Sequence, residues 1–170
     1  MTRPAWTPAG TLLLPVVPDA WPPPARGVVL DGIAFAPKRE LHVTLVGRAL
    51  GQALRTAITE GRLDPVAVRA AVEDLDWRFA RTGRLWRLED RVGRGARGPR
   101  GSIIEMIEMP AMAAFHARLG GMLGRRLPVP PAHVTLYSSG DDAGIGVPDD
   151  TALRRLAVRA VSAHELSTNR

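Results

Sequence analysis

The fold is decided by residues Ala132–Tyr137, AHVTLY, which have a near-copy in Leu41–Val46, LHVTLV. Both segments carry His, Val, Thr and Leu in the same order, and their histidines lie 91 positions apart (133 − 42). Side chains alternate between the two faces of a β-strand. Each histidine therefore shares a face with the threonine two positions later, while the apolar residues point into a core.

These two strands predict a site with two imidazoles. His42 and Thr44 share the polar face of the first strand, and the same alternation puts Tyr137 beside His133 and Thr135 on the second. Two such strands facing each other across a cleft would form a two-histidine acid–base site. Tyr137 is a candidate for stacking on a base or ribose, and the alternative is a residue of the cleft wall.

Composition bounds the class of protein. The 170 residues suit one domain, and the absence of cysteine excludes disulfides, thiol nucleophiles and cysteine-based metal sites. The formal charge of +6 comes almost entirely from arginine, since Lys38 is the only lysine. Arginine suits phosphate contacts, although arginine-rich codon usage explains the charge equally well. No apolar run approaches the ~20 residues of a membrane span. We therefore expect a soluble, cytoplasmic protein with no membrane partner.

Hydrophobic periodicity and turn residues predict an α+β chain. Residues 1–25 are a proline-rich segment in which Thr11–Val17 is compatible with an edge strand. The predicted strands are Val28–Phe35, Leu41–Val46, Trp77–Arg81, Leu85–Asp90, Ser102–Met109, Ala132–Tyr137 and Leu156–Leu166. A turn at Thr82-Gly83 joins the third and fourth of these into a hairpin, and a helix is the alternative for Leu156–Leu166. The predicted helices are Arg48–Glu60, Pro65–Leu75 capped by Asp64, one from Pro110 to near Gly124, and Thr151–Arg155. Gly93–Gly101 contains only Gly, Arg, Ala and Pro, which predicts a flexible basic loop. One motif in each half suggests an internal duplication, so residues 1–170 are interpreted as one domain of two joined lobes.

The paired His-x-Thr motifs resemble those of the two-histidine (2H) phosphoesterases, which include bacterial RNA 2′,3′-cyclic phosphodiesterases named as RNA ligases. The resemblance covers Leu41–Val46, the Ser102–Met109 strand with its helix, and Pro130–Val147. It implies a bilobal fold with pseudo-two-fold symmetry, two antiparallel sheets facing a central cleft and helices outside. It also implies catalysis without a metal or any other cofactor.

The resemblance assigns roles residue by residue. His42 and His133 take the catalytic positions, and Thr44 and Thr135 bind the phosphate. Tyr137 is a further candidate substrate contact because of its place on the strand face, and the resemblance does not assign it. The implied activity is hydrolysis of a 2′,3′-cyclic phosphate on an RNA end or a nucleotide, in RNA repair or processing, by a monomer. Imidazole suits this work because its unperturbed pKa near 6.5 lets one ring accept a proton while another donates one.

Two alternatives remain open at this point. The same fold would serve another diester, such as a 2′–5′ linkage or an ADP-ribose cyclic phosphate. A non-catalytic module would bind RNA or phosphate in the same cleft without turnover.

Other residues have weaker claims to function. Trp86 and Phe35 are candidate stacking residues, with a core position as the alternative for both. The candidate phosphate contacts, with solvated surface charges as the alternative, are Lys38, Arg39, Arg97 and Arg100. His116 is interpreted as a boundary residue and His164 as structural. Asp141, Asp142, Asp149 and Asp150 lack the spacing of a calcium site and are interpreted as turn residues.

Overall fold

In the computed structural model, which describes residues 3–95, 98–140 and 144–167, the chain forms an α+β fold on one large antiparallel sheet. The α+β class predicted from the sequence is thereby confirmed. The strands are β1 (Ala5–Trp6), β2 (Leu12–Pro15), β3 (Val28–Leu30), β4 (Ile33–Pro37), β5 (His42–Val46), β6 (Ala80–Gly95), β7 (Gly98–Glu108), β8 (His133–Ser139) and β9 (Ala157–Val161). The helices are α1 (Arg48–Thr59), α2 (Pro65–Glu73), α3 (Pro110–Met122), α4 (Asp150–Leu156) and α5 (Ala163–Ser167).

The two histidine strands are neighbours in the middle of this sheet. The strand order is β1-β2-β5-β8-β7-β6-β9, with β4 also paired to β8 and β3 paired to β4. β5 and β8 therefore meet edge to edge, whereas the sequence led us to expect them in two sheets facing each other. The division of the chain into two pseudo-symmetric lobes stays a prediction.

The main core covers one face of the sheet, and a smaller cluster covers part of the other. Ile103 packs in the main core with residues of α1, α2 and α3, whereas Ile104 packs in a smaller cluster with Ile145, Val147 and α4. Adjacent residues of a strand point to opposite faces, so the two clusters lie on opposite sides of the sheet. We call these the core face and the open face.

Helix boundaries follow the expected capping chemistry. The Val66 amide donates to Asp64 Oδ1 (2.8 Å) and Pro65 occupies the first turn of α2, so the predicted start of that helix is confirmed. Asp149 caps α4 in the same way, since its Oδ1 accepts from the Ala152 amide (2.7 Å). No helix in the described part of the chain has the length and apolar character needed to cross a bilayer.

The predicted single strand Val28–Phe35 is wrong, because it is a hairpin of β3 and β4. Leu30 pairs with Ile33, and the two residues between them, Asp31 and Gly32, have φ of 53° and 76°. Positive φ at both central positions is the geometry of a type I′ turn, for which Asp-Gly is a favoured pair. The segment Thr11–Val17 also differs in position, since β2 lies between β1 and β5 and not at the edge.

The middle of the chain forms one long hairpin of β6 and β7, in place of the expected short strands and the flexible loop over Gly93–Gly101. β6 continues through the predicted turn at Thr82-Gly83, where the register shifts and Gly83 has φ of 69°. Trp77 and Phe79 precede this strand and do not belong to it. Residues 93–95 and 98–101 belong to paired strands, so a flexible loop over Gly93–Gly101 is wrong for these positions. Arg97 lies outside the described residues.

The C-terminal part divides into two elements. The predicted strand Leu156–Leu166 is β9 only as far as Val161, and α5 follows it. Arg159 on β9 donates to both carboxylate oxygens of Asp31 (2.9 and 3.1 Å), which ties this edge of the sheet to the β3–β4 turn.

Candidate active site

The two motifs meet at their central valines. Val43 and Val134 are antiparallel partners, and both are fully buried in the main core. One step along antiparallel strands from this pair brings His42 level with Thr135, and Thr44 level with His133. Each histidine therefore lies across from the threonine of the other motif, with a local two-fold axis through the valine pair.

All four polar side chains belong to the open face. His42, Thr44, His133 and Thr135 are partly exposed, and each is flanked along its strand by a buried core residue. The two histidines are diagonal neighbours across the strand pair, and such neighbours lie about 7–8 Å apart in a regular ladder. This separation is wide enough for a phosphate group between two imidazole rings.

Tyr137 does not belong to this group. Thr135 pairs with Ile104 and Tyr137 with Ile103, so Leu136 is an extra residue that bulges the strand. The bulge turns Tyr137 to the core face, where it is only 6% exposed and packs in the main core. The prediction that Tyr137 shares a face with His133 is therefore wrong, and its role as a substrate contact loses its geometric basis.

The surroundings of His42 favour its neutral form. Burial lowers the pKa of His42, the nearby positive charge of Lys38 lowers it further, and Glu40 opposes both effects. Lys38 follows β4, and its amide donates to the Leu136 carbonyl (2.8 Å) beside the second motif. The only lysine of the chain thus borders the four-residue group.

Burial also favours the neutral form of His133, whose ring has a different hydrogen-bond partner. Burial lowers the pKa of His133, while a hydrogen bond to the Pro131 carbonyl opposes this, and the neighbouring His42 lowers the pKa again. The two imidazoles are thus close enough to interact electrostatically. The Pro131 carbonyl can only accept, so Nδ1, 2.8 Å away, carries the hydrogen and Nε2 is the free nitrogen of the neutral ring.

Gly144 forms one wall of the site, and the sequence patterns did not identify it. A Cβ atom at this position would lie 3.1 Å from Thr135 Oγ1, so the backbone passes close to the threonine hydroxyl. The next residue, Ile145, is buried in the small cluster and donates its amide to Ser102 Oγ (3.1 Å). These contacts fix Gly144 against Thr135. Only the glycine itself marks this closeness in the sequence, because the approach is tertiary.

The remaining histidines lie apart from the site. His116 is 3% exposed, so the interpretation as a boundary residue is wrong. Its Nε2 lies 2.9 Å from the Leu45 carbonyl and donates to it, which ties α3 to β5. Burial lowers the pKa of His116, and backbone carbonyls oppose this. His164 is exposed on α5.

The other candidates divide between the two faces. Trp86 pairs with Ile104 and is partly exposed on the open face, whereas Phe35 is buried in the main core. Arg100 pairs with Asp90 (2.9 Å), and Arg39 is exposed. Asp141 and Asp142 lie outside the described residues.

A groove of about 1340 Å³ lies apart from the paired motifs. It opens beside the N-terminal strands, α1 and α2, and is lined by core-face residues such as Leu14 and Val68. None of the four polar side chains lines it. Within residues 3–95, 98–140 and 144–167, no group of three or more His, Cys, Asp or Glu side chains is placed to hold a metal ion.

Comparison of the chain with protein-family models, with curated proteins and with solved structures finds no match.

Proposed function

We propose that this protein is a metal-independent phosphodiesterase of the 2H type, which hydrolyses a 2′,3′-cyclic phosphate at an RNA end or on a nucleotide. The observation that carries the proposal is the pairing of Val43 with Val134. Two identical His-Val-Thr segments that cross at their valines present two imidazoles and two hydroxyls to one point, related by a two-fold axis. The pseudo-symmetric, two-lobed organisation expected from the sequence is part of this proposal.

The chemistry requires two proton transfers. A water oxygen attacks phosphorus and loses its proton to one neutral imidazole, while the bond from phosphorus to a ribose oxygen breaks. The other imidazole, protonated, donates its proton to that departing oxygen, which leaves a phosphate monoester. Each positioned acid or base typically contributes 10²–10⁴-fold. The hydroxyls of Thr44 and Thr135 donate to the non-bridging oxygens as negative charge develops there.

The surroundings of the two rings support different roles. The positive charge of Lys38 disfavours protonation of His42, which suits a general base. The hydrogen bond from His133 Nδ1 to Pro131 favours the protonated form and aims Nε2 outward, which suits a general acid. We therefore assign His42 as the base and His133 as the acid for hydrolysis of the cyclic ester. Lys38 would also attract the anionic phosphate.

Hydrolysis of 2′,3′-cyclic AMP in the presence of EDTA tests the proposal. His42→Ala and His133→Ala should each lower kcat by at least about 10²-fold, with thermal unfolding still cooperative. The matched control is His164→Ala, which removes an exposed imidazole from α5 and should retain full activity. Loss of activity in EDTA, or turnover that survives both active-site substitutions, would sink the proposal.

A second candidate is a module that binds RNA or phosphate without turnover. It is favoured by one observation: the pKa of both imidazoles is lowered, so neither ring is fully protonated at neutral pH in the free protein. Binding of adenosine 2′-monophosphate without hydrolysis of any diester in a panel would select this module. The panel includes a 2′–5′ linkage and an ADP-ribose cyclic phosphate, so it also separates the alternative hydrolases. A cytoplasmic, monomeric protein remains the expectation.

A further inference from the structure

A strip of apolar side chains continues the open face from the histidines toward β6. Met106 pairs with His133, Ile104 pairs with Thr135, and Trp86 pairs with Ile104. Residues paired across an antiparallel ladder share a face. The strip therefore begins directly beside the second motif and ends at an indole ring.

The strip is exposed at the end that lies near the histidines. Ile104 is fully buried, and further along β6 the side chain of Leu88 lies with Ile145 under the cover of α4. Met106 and Trp86 pack only at the margin of this cluster and remain partly exposed. Met106 borders the proposed phosphate site through its pairing with His133, and Trp86 is the diagonal neighbour of Met106 on β6.

Distance limits what this surface can hold. Adjacent strands are about 4.8 Å apart, so β6 lies about 10 Å from β8 across the sheet. A nucleotide spans a similar distance from its phosphate to the far edge of its base. The opposite flank of the site differs, because β2 and β1 present Leu13, Pro15 and Ala5 there. An aromatic ring is available only on the β6 side of these flanking strands.

We infer that Trp86 and Met106 form a platform for the nucleobase of the nucleotide that carries the reacting phosphate. This inference rests on the proposed function and adds to it a site for the base, on side chains that the proposed chemistry does not use. The platform side chains carry no charge, so the base is held by stacking and not by reading its edge. All four bases should therefore be accepted, with the larger purines held more tightly than pyrimidines.

Calorimetric titration with adenosine 2′-monophosphate and with inorganic phosphate tests the platform. Trp86→Ala should weaken binding of adenosine 2′-monophosphate by roughly tenfold or more, while the affinity for inorganic phosphate stays unchanged. Trp86→Phe should retain most of the affinity, because it keeps an aromatic face. The matched control is Trp6→Ala, which removes a 45% exposed indole from β1 at the far edge of the sheet.

The outcomes separate the inference from the proposed function. If inorganic phosphate does not bind, or binds equally well to His42→Ala, both the proposed phosphate site and the inferred base platform are wrong. If Trp86→Ala weakens both ligands equally, or neither, the platform alone is wrong. Should Trp86→Ala fail to fold, Met106→Ala decides, since it truncates a partly exposed side chain. An unchanged affinity of Met106→Ala for adenosine 2′-monophosphate would then overturn the inference.

Discussion

At the scale of single residues, the environment of the two imidazoles opposes their protonation. Burial lowers the pKa of His42 and of His133, and the two rings also interact with each other. A free histidine titrates near 6.5, so both rings of the free protein titrate below that value. An anionic substrate between them reverses this effect, because a negative charge stabilises an imidazolium. The site thus acquires its proton together with its substrate.

This environment predicts an acidic optimum for kcat/KM, which reports the free enzyme. The base must be neutral and the acid protonated, so the rate peaks midway between two pKa values that both lie below 6.5. The maximum of kcat/KM for 2′,3′-cyclic AMP should therefore fall below pH 6.5. The optimum of kcat should lie at higher pH, because kcat reports the complex, in which the anionic substrate raises the pKa of both imidazoles. Lys38→Met removes a charge that lowers the pKa of His42, so the acidic limb should move to higher pH. A flat profile between pH 5 and 8 would contradict two titrating imidazoles.

Four of the five predicted site residues lie where the sequence pattern puts them. His42, Thr44, His133 and Thr135 share a face because alternation over three residues is a local property of a strand. Tyr137 does not, because the bulge at Leu136 lies between it and the motif. A bulge depends on the partner strand β7, and the stretch Ala132–Tyr137 contains no glycine that would signal it.

At the scale of elements, residues 144–147 form a wall of the site that contacts with β7 hold in place. Ser102 accepts from the Ile145 amide, and Val147 is buried beside it, so the backbone at Gly144 has little freedom to move away from Thr135. The strand β7 therefore supports the threonine of β8 through a contact that crosses from one element to another.

Gly144→Ala should lower kcat without loss of stability. The added methyl group lies 3.1 Å from Thr135 Oγ1 and must displace the hydroxyl by a few tenths of an ångström. We expect roughly a tenfold loss of kcat, since misplacement of a positioned group is costly. The matched control is Gly146→Ala, where an added Cβ meets nothing within 4 Å. Steady-state kinetics and thermal unfolding of both variants check this, and equal kcat values would show that Gly144 has no positioning role.

The elements were predictable where their signals are local. Asp64 and Pro65 mark the start of α2, and α1 follows its apolar spacing. The Asp31-Gly32 turn carried an equally local signal that the interpretation of Val28–Phe35 as one strand passed over. The full length of the β6–β7 hairpin was not predictable from the sequence. Its glycine-rich end is a strand because it pairs with the opposite strand, and sequence periodicity does not report such pairing.

At the scale of the whole molecule, the site lies on strands that contact the main core on one face of the sheet and the small cluster on the other. The valines of both motifs anchor the main core, while the small cluster under α4 holds the wall that contacts Thr135. His116 on α3 also fixes β5, because its Nε2 donates a hydrogen bond to the carbonyl of Leu45, the residue after Thr44. Folding therefore places three imidazoles in surroundings that disfavour their charged form, and the stability of the protein must depend on pH.

The sign of that dependence follows from the direction of the shifts. The pKa values of His42, His116 and His133 are lowered in the folded protein and lie near 6.5 in the unfolded chain. Well above pH 6.5 all three rings are neutral in both states. As the pH falls below 6.5, the unfolded chain binds protons that the folded protein does not, so the free energy of unfolding decreases. The decrease is at most about 1.4 kcal/mol per pH unit for each histidine.

Urea unfolding between pH 7.5 and pH 5.5 measures this decrease, and His116→Gln isolates one contribution. Glutamine still offers an N–H for the Leu45 carbonyl but cannot take up a proton. Below pH 6.5 the variant should lose stability less steeply than the natural protein, and above pH 7 the two curves should run parallel. Because His116 is 3% exposed and lies outside the candidate site, hydrolysis should persist in the variant. A slope unchanged by the substitution would mean that the folded protein accommodates the charged ring, which is incompatible with a buried neutral imidazole held between α3 and β5.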